Sequence, residues 1–138
     1  MTKIIPCLAF VLIAFVSHAQ NRNKNLEATQ HIFEAFNAHK WEQMLSYYSK
    51  DAVFHDASLG KPIQDPETIL KRHQHLEEYF NDIRVDLKSI YPSGENVIIE
   101  FVSTGTSVQG EKLNLPICTI LTFKDGKVVR DATYYDNQ

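Results

Sequence analysis

Hydrophobic positions recur along this chain at two different periods, and the change from one to the other comes near Asp82. Across "LEATQHIFEAFNAH", Leu26, Thr29, Ile32, Phe33 and Phe36 return at helical spacing, and Asn25 is placed to cap that helix. "WEQMLSYY" repeats the pattern, with Trp41, Met44, Leu45 and Tyr48 on one face of a predicted second helix. "DAVFHDA" then alternates in the manner of a strand. "QDPETILKRHQHLEEYF" opens with a helix start, Asp65 as cap, Pro66 at the first helical position and Glu67 in the first turn. Leu70, His73, Leu76 or Glu77, and Phe80 run along one side of this third helix.

After Asp82 the runs "IRVDLKSIYP", "ENVIIEFVSTGTSV", "KLNLPICTILTF" and "KVVRDATYYD" are rich in β-branched and aromatic residues and read as strands. They are separated by "PSGEN", "QGE" and "KDG", the last a tight-turn signal. Helices followed by an antiparallel meander define an α+β fold with the helices collected on one side of the sheet. A long curved sheet is not covered evenly by three helices, which leaves room for a hollow where a small molecule binds.

Composition adds an expected export signal and removes several functions. "MTK" is basic, "IIPCLAFVLIAFV" is apolar, and Ser17 and Ala19 offer small residues before a cleavage expected after Ala19. Residues 1–19 are thus expected to be a signal peptide, 20–25 a polar lead-in and 26–136 the domain. The expected destination is a periplasm or the medium. An apolar run this short hardly crosses about 30 Å of hydrocarbon, so no membrane association is expected after cleavage. The 119 residues from Gln20 onward suffice for one domain with one core. Removing Lys3 moves the formal charge from -3 to about -4, and no basic stripe remains for nucleic acid. Cys118 is then the only cysteine, set in the apolar run "LPICTILTF", and reads as a buried small hydrophobe. His73 and His75 are two apart on a helix and turn away from each other, so no metal site and no cofactor is expected. Neither a Gly-x-Ser-x-Gly elbow nor a glycine-rich phosphate loop is present.

"FNAHKWEQMLSYYSKDAVFHD" and "FKDGKVVRDATYYD", in this order around a third helix, resemble the SnoaL-like branch of the nuclear transport factor 2-like superfamily across Leu26 to Asp136. The resemblance implies a cone-shaped α+β barrel, three helices packed on a strongly curved, mixed but mainly antiparallel sheet, and a tendency to form homodimers. It also implies a small apolar ligand and either acid/base isomerisation, cyclisation or hydration, or a non-catalytic ligand-binding or dimerisation domain. The two functional classes stay open on the sequence.

Asp56 falls where the ketosteroid isomerases of this superfamily carry their base. Desolvation in an apolar cone would strengthen it in that role, whereas the composition of "HDASLG" equally suits a turn. The expected oxyanion donors do not carry over: Ile32 stands in the tyrosine position and Thr119 near the acidic one. Asp136, in "YYD", is the second catalytic candidate by resemblance to the cyclases, against a plain exposed terminus. Alternation puts Phe54 with Asp56 on one face and Val53 with His55 on the other, and sends Tyr134 and Tyr135 to opposite faces. The candidate ligand-binding residues are Phe54, Trp41, His73, Thr119 and the inward member of the pair Tyr134 and Tyr135. His73 reads either as a satisfied semi-buried histidine or as a ligand contact. Glu100, inside "VIIEFV", is expected on the convex or dimer-facing side of the sheet.

Overall fold

The computed structural model describes the backbone of residues 8–136 and the side chains of residues 19–136. Three helices and five strands follow in the order α1 (Leu8–Asn37), α2 (Trp41–Leu45), β1 (Tyr48–Asp56), α3 (Pro66–Tyr79), β2 (Arg84–Ser93), β3 (Asn96–Thr106), β4 (Lys112–Lys124) and β5 (Lys127–Tyr134). The start of the expected export signal lies outside the described residues, and α1 runs through the expected cleavage point without a break. Asn25 is not a cap but an interior residue of α1, buried, with its carbonyl accepting a hydrogen bond from the Thr29 hydroxyl at 2.8 Å.

The third helix begins as its cap signal requires. The Asp65 carboxylate accepts from the backbone N–H groups of Glu67 at 3.2 Å and Thr68 at 3.1 Å, and Pro66 opens the first turn. The "KDG" turn is equally local in origin. Asp125 and Gly126 both have positive φ, 51° and 75°, which gives the tight connection whose twist matches that of β4 and β5. The second helix is shorter than its apolar pattern predicts. α2 ends at Leu45, and Tyr48 already belongs to β1.

The sheet has the order β1-β5-β4-β3-β2, with β1 parallel to β5 and every other pair antiparallel. It curls around the helices without closing into a barrel, so the expected barrel is an open, curved sheet with edges at β1 and β2. Both edges are covered locally. Phe54 and Ile63 exchange two backbone hydrogen bonds at 2.8 and 2.9 Å outside β1. The Asn37 side chain accepts from Val85 N–H at 2.7 Å and donates to Val85 C=O at 2.9 Å, so one amide takes the place of a neighbouring strand along β2.

The main core joins Ile32 and Ala35 of α1, Trp41 and Met44 of α2, and Val97, Ile99, Leu121, Phe123 and Val128 of the sheet. A smaller cluster of Ala52, Phe54 and Ile69 fastens α3 to β1. Glu100 is exposed on the convex side, where the Tyr91 hydroxyl donates to it at 3.2 Å. Asn37→Ala leaves both Val85 backbone groups to water and frees the end of α1, and it is expected to cost about 1–2 kcal/mol. Asn37→Asp, which can no longer donate to the Val85 carbonyl, should recover little of that. Urea denaturation of the two variants measures both.

Candidate functional site

Register along the sheet decides which polar side chains meet under the helices. Paired residues on neighbouring strands share a face. Phe54 is opposite Asp131, which is opposite Leu121 and then Val97; Asp56 is opposite Thr133, then Thr119, then Ile99. Val97, Ile99 and Leu121 are core residues, so both rows face inward. These rows end on a cavity of about 620 Å³ between the concave face of the sheet and the helices. That volume is in the usual range for a small-molecule site. Its apolar wall includes Ile32, Phe33, Phe36, Leu76, Phe80 and Phe101, and its polar side carries Tyr48, Asp56, Arg72, His73, Asp131 and Tyr135.

Two carboxyl groups line this cavity and their surroundings push them in opposite directions. Asp131 is half-buried. Burial drives its pKa up from 3.8 to about 6, against the opposing hydrogen bonds from Tyr48 and Thr133. The Tyr48 hydroxyl donates to Oδ2 at 2.8 Å and the Thr133 hydroxyl to Oδ1 at 3.0 Å. Thr133 in turn shares a hydrogen bond of 2.7 Å with the Thr119 hydroxyl. The nearby Asp56 charge adds to the upward push. Tyr48 itself is held well above its ordinary pKa by burial and by the Asp131 charge, so it stays a donor.

Asp56 goes the other way. Burial raises its pKa, but the hydrogen bonds from Tyr135 and Ser58 and the Arg72 charge outweigh burial and hold it below 3.8. All three hydrogen bonds converge on one oxygen: the Tyr135 hydroxyl at 2.6 Å, the Ser58 hydroxyl at 2.7 Å and the Ser58 N–H at 2.8 Å all donate to Oδ1. Among the described residues Oδ2 has only the Arg72 guanidinium, 3.9 Å away. Asp56 is therefore both of the things its sequence allows, a turn residue through Oδ1 and a cavity carboxylate through Oδ2. Two titratable groups whose environments separate their pKa values form the usual pattern of an acid/base site.

The sequence candidates divide accordingly. Asp56, His73, Thr119 and Tyr135 line the cavity. Asp136 does not; it lies past the end of β5 and is exposed. Tyr134 is on the convex face opposite Cys118 and is 51% exposed, which leaves Tyr135 as the inward tyrosine. Phe54 shares the inner face with Asp56 but lies beneath Tyr48, their rings stacked at 5.0 Å, so it supports the wall without lining it. Trp41 is one layer behind the cavity, between Phe36, His39 and His73, and its indole N–H donates to Glu77 at 2.6 Å. Asp131 and Tyr48, which carry the raised carboxyl group, were not among the candidates. For Asp131 the signal was available: Asp131 and Thr133 are alternate residues of β5, and Tyr135 continues the alternation one residue past its end. Tyr48 was hidden by a helical pattern that continues past the real end of α2.

The comparison with known families fits this architecture. The model of the SnoaL-like domain matches residues 29–131. The chain belongs to the SnoaL-like domain family. Its fold is that of the nuclear transport factor 2-like superfamily. An NTF2-like protein of unknown function from Burkholderia pseudomallei K96243 is 18% identical with a TM-score of 0.75, over 82% of this chain and 91% of that one. A protein of Jannaschia sp. CCS1, provisionally named a SnoaL-like polyketide cyclase, is 18% identical with a TM-score of 0.74, over 83% and 86%. TerC, co-crystallized with polyporic acid, is 21% identical with a TM-score of 0.73, over 82% and 92%. Among curated proteins none matches the chain.

The raised Asp131 has a consequence for the stability of this SnoaL-like domain that needs no ligand to observe. Its proton is held more tightly in the folded state, so folding loses stability as the pH rises from 3.8 to about 6 and none beyond. The interval corresponds to about 3 kcal/mol at most, and cavity water reduces the expectation to about 2 kcal/mol. Asp131→Asn should therefore be more stable than the parent at pH 8 by about that amount, with the difference vanishing near pH 4. Urea titrations across this range measure it.

Proposed function

We propose that this protein is an acid/base catalyst acting on a small, largely apolar carbonyl compound, with Asp131 as the group that takes and returns the proton. The observation that carries this reading is the pair of cavity carboxyl groups with separated pKa values, Asp131 near 6 and Asp56 below 3.8. A base is most effective when its pKa lies close to the working pH, which favours Asp131 over Asp56. The ionised Asp131 removes a proton from the carbon next to the carbonyl, and the bonding electrons move to the carbonyl oxygen. The protonated Asp131 then returns that proton to the same carbon as the carbonyl re-forms, or to the γ carbon of a β,γ-unsaturated ketone, where the double bond shifts into conjugation. Arg72, the only guanidinium or ammonium group lining the cavity among the described residues, supplies positive charge for the oxygen. Asp56 remains ionised throughout and, through Oδ2, orients Arg72 from 3.9 Å. The pairing of Tyr48 with Asp131 differs from the ketosteroid isomerase pattern, whose tyrosine and protonated acid both donate to the substrate oxygen: here the Tyr48 hydroxyl donates to the base itself. The co-crystallization of TerC with polyporic acid supports reading the cavity as a ligand site.

The test uses 2-tetralone, a two-ring ketone with acidic α-protons that is small enough for the cavity. In deuterated buffer the protein should accelerate exchange of those protons, followed by NMR. The rate should rise with pH up to about 6 and level off above, because the base must be deprotonated. Asp131→Asn should lower the rate by at least about 100-fold, the usual worth of a positioned base. Exchange unaffected by Asp131→Asn removes Asp131 from the role. Binding of the ketone without exchange assigns the cavity to ligand binding alone.

A further inference from the structure

His73 carries an imidazole face that the acid/base pair does not use. Its Nδ1 is 2.9 Å from the Ile69 carbonyl oxygen one turn earlier in α3. A carbonyl oxygen only accepts, so Nδ1 carries the proton in that contact. In the neutral ring Nε2 is then left with a bare lone pair. The ring cannot turn freely to change this. Trp41 lies tilted against it with centroids 5.4 Å apart, and Phe36 meets it edge-on at 5.9 Å. Trp41 is itself fixed by its hydrogen bond to Glu77, and Glu77 by His39 at 2.9 Å. Behind the cavity wall, a stack of rings thus holds one imidazole at a set angle.

Among the described residues Nε2 has no hydrogen-bond partner, yet it is not sealed in: the only buried polar side-chain atom without a partner among those residues is Ser49 Oγ. His73 lines the cavity, so its free nitrogen is open to whatever occupies it. The groups around the ring keep it neutral at ordinary pH. Burial lowers its pKa below 6.5, the Ile69 contact partly offsets this, Arg72 on α3 lowers it further, and Asp56 on β1 opposes that. Phe36 on α1 and Trp41 on α2 are uncharged. A ligand that fills the cavity without a donor strips solvent from this neutral acceptor and leaves it unpaired, whereas a ligand that carries a donor satisfies it.

We propose that His73 is a specificity-determining residue whose Nε2 accepts a hydrogen bond from a ligand hydroxyl, so that the site takes hydroxylated ring compounds, phenols or enols, in preference to the same rings without a free hydroxyl. This rests on the cavity being a ligand site, as in the proposed function, and adds which ligand class it prefers. It also fits the chemistry there, since the enol form of a carbonyl compound presents such a hydroxyl.

Calorimetric titration with 2-naphthol and 2-methoxynaphthalene separates the two claims. The rings match, and only the first can donate. The protein should bind 2-naphthol about 10-fold more tightly, the worth of one hydrogen bond that leaves no acceptor unpaired. His73→Phe retains a ring against Trp41 and should bind both compounds with equal affinity. Equal affinities in the parent protein, or an undiminished preference in His73→Phe, overturn the proposal while the cavity remains a ligand site. Failure of both compounds to bind refutes the ligand site, and the role of His73 falls with it. If His73→Phe does not fold, nitrogen-15 NMR of the parent still decides: the unprotonated ring nitrogen of His73 must be Nε2, and a proton found there instead overturns the proposal.

Discussion

Tyr48 donates to Asp131 where β1 runs parallel to β5. Asp131 is a charged residue in a row otherwise made of Phe54, Leu121 and Val97, so its position needs every other feature of the site. The curl of the sheet leaves space beside it, the helices roof that space, and the hydroxyls of Tyr48 and Thr133 give its two oxygens partners. Removing the space would bury an unsatisfied charge; removing the hydroxyls would leave burial unopposed. A carboxyl group with a pKa near 6 results from this partial compensation.

The contrast with Asp56 shows how little distance is needed to give two aspartates different properties. Asp56 is in the neighbouring inward-facing row, at a strand end where Ser58 and Tyr135 reach one oxygen. Three donors and a guanidinium keep it ionised. The same strand end that looks like a turn in sequence is therefore also the site's permanent negative charge. The arrangement supplies one group that changes its proton near neutral pH beside another that does not.

Much of the fold was legible because its signals are local. The Asp65 and Pro66 start of α3, the turn at Asp125 and Gly126 and the four later strands all follow from neighbouring residues. Alternation put Asp56 on one face with Phe54, and pairing with β5 turns that face inward. What the sequence concealed depends on tertiary pairing. Tyr48 continues the apolar face of α2 in sequence, but pairing with Val128 draws it into β1 and turns its hydroxyl toward Asp131. Trp41 and Phe54 have the apolar character of ligand contacts, yet they are one layer behind the wall because Tyr48, Phe36 and His73 cover them. A motif comparison anchored at Ile32 and Thr119 looks for the tyrosine and the acid on α1 and β4. In this chain Tyr48 of β1 and Asp131 of β5 form a different pair, in which the tyrosine donates to the carboxyl group.

The central claim is that the two cavity aspartates titrate far apart, and carbon-13 NMR of the side-chain carboxyl groups tests it without a substrate. Asp131 should titrate at about 6 and Asp56 below 3.8. Both carboxyl groups titrating together near 3.8 would contradict the account, since neither would then be matched to proton transfer near neutral pH.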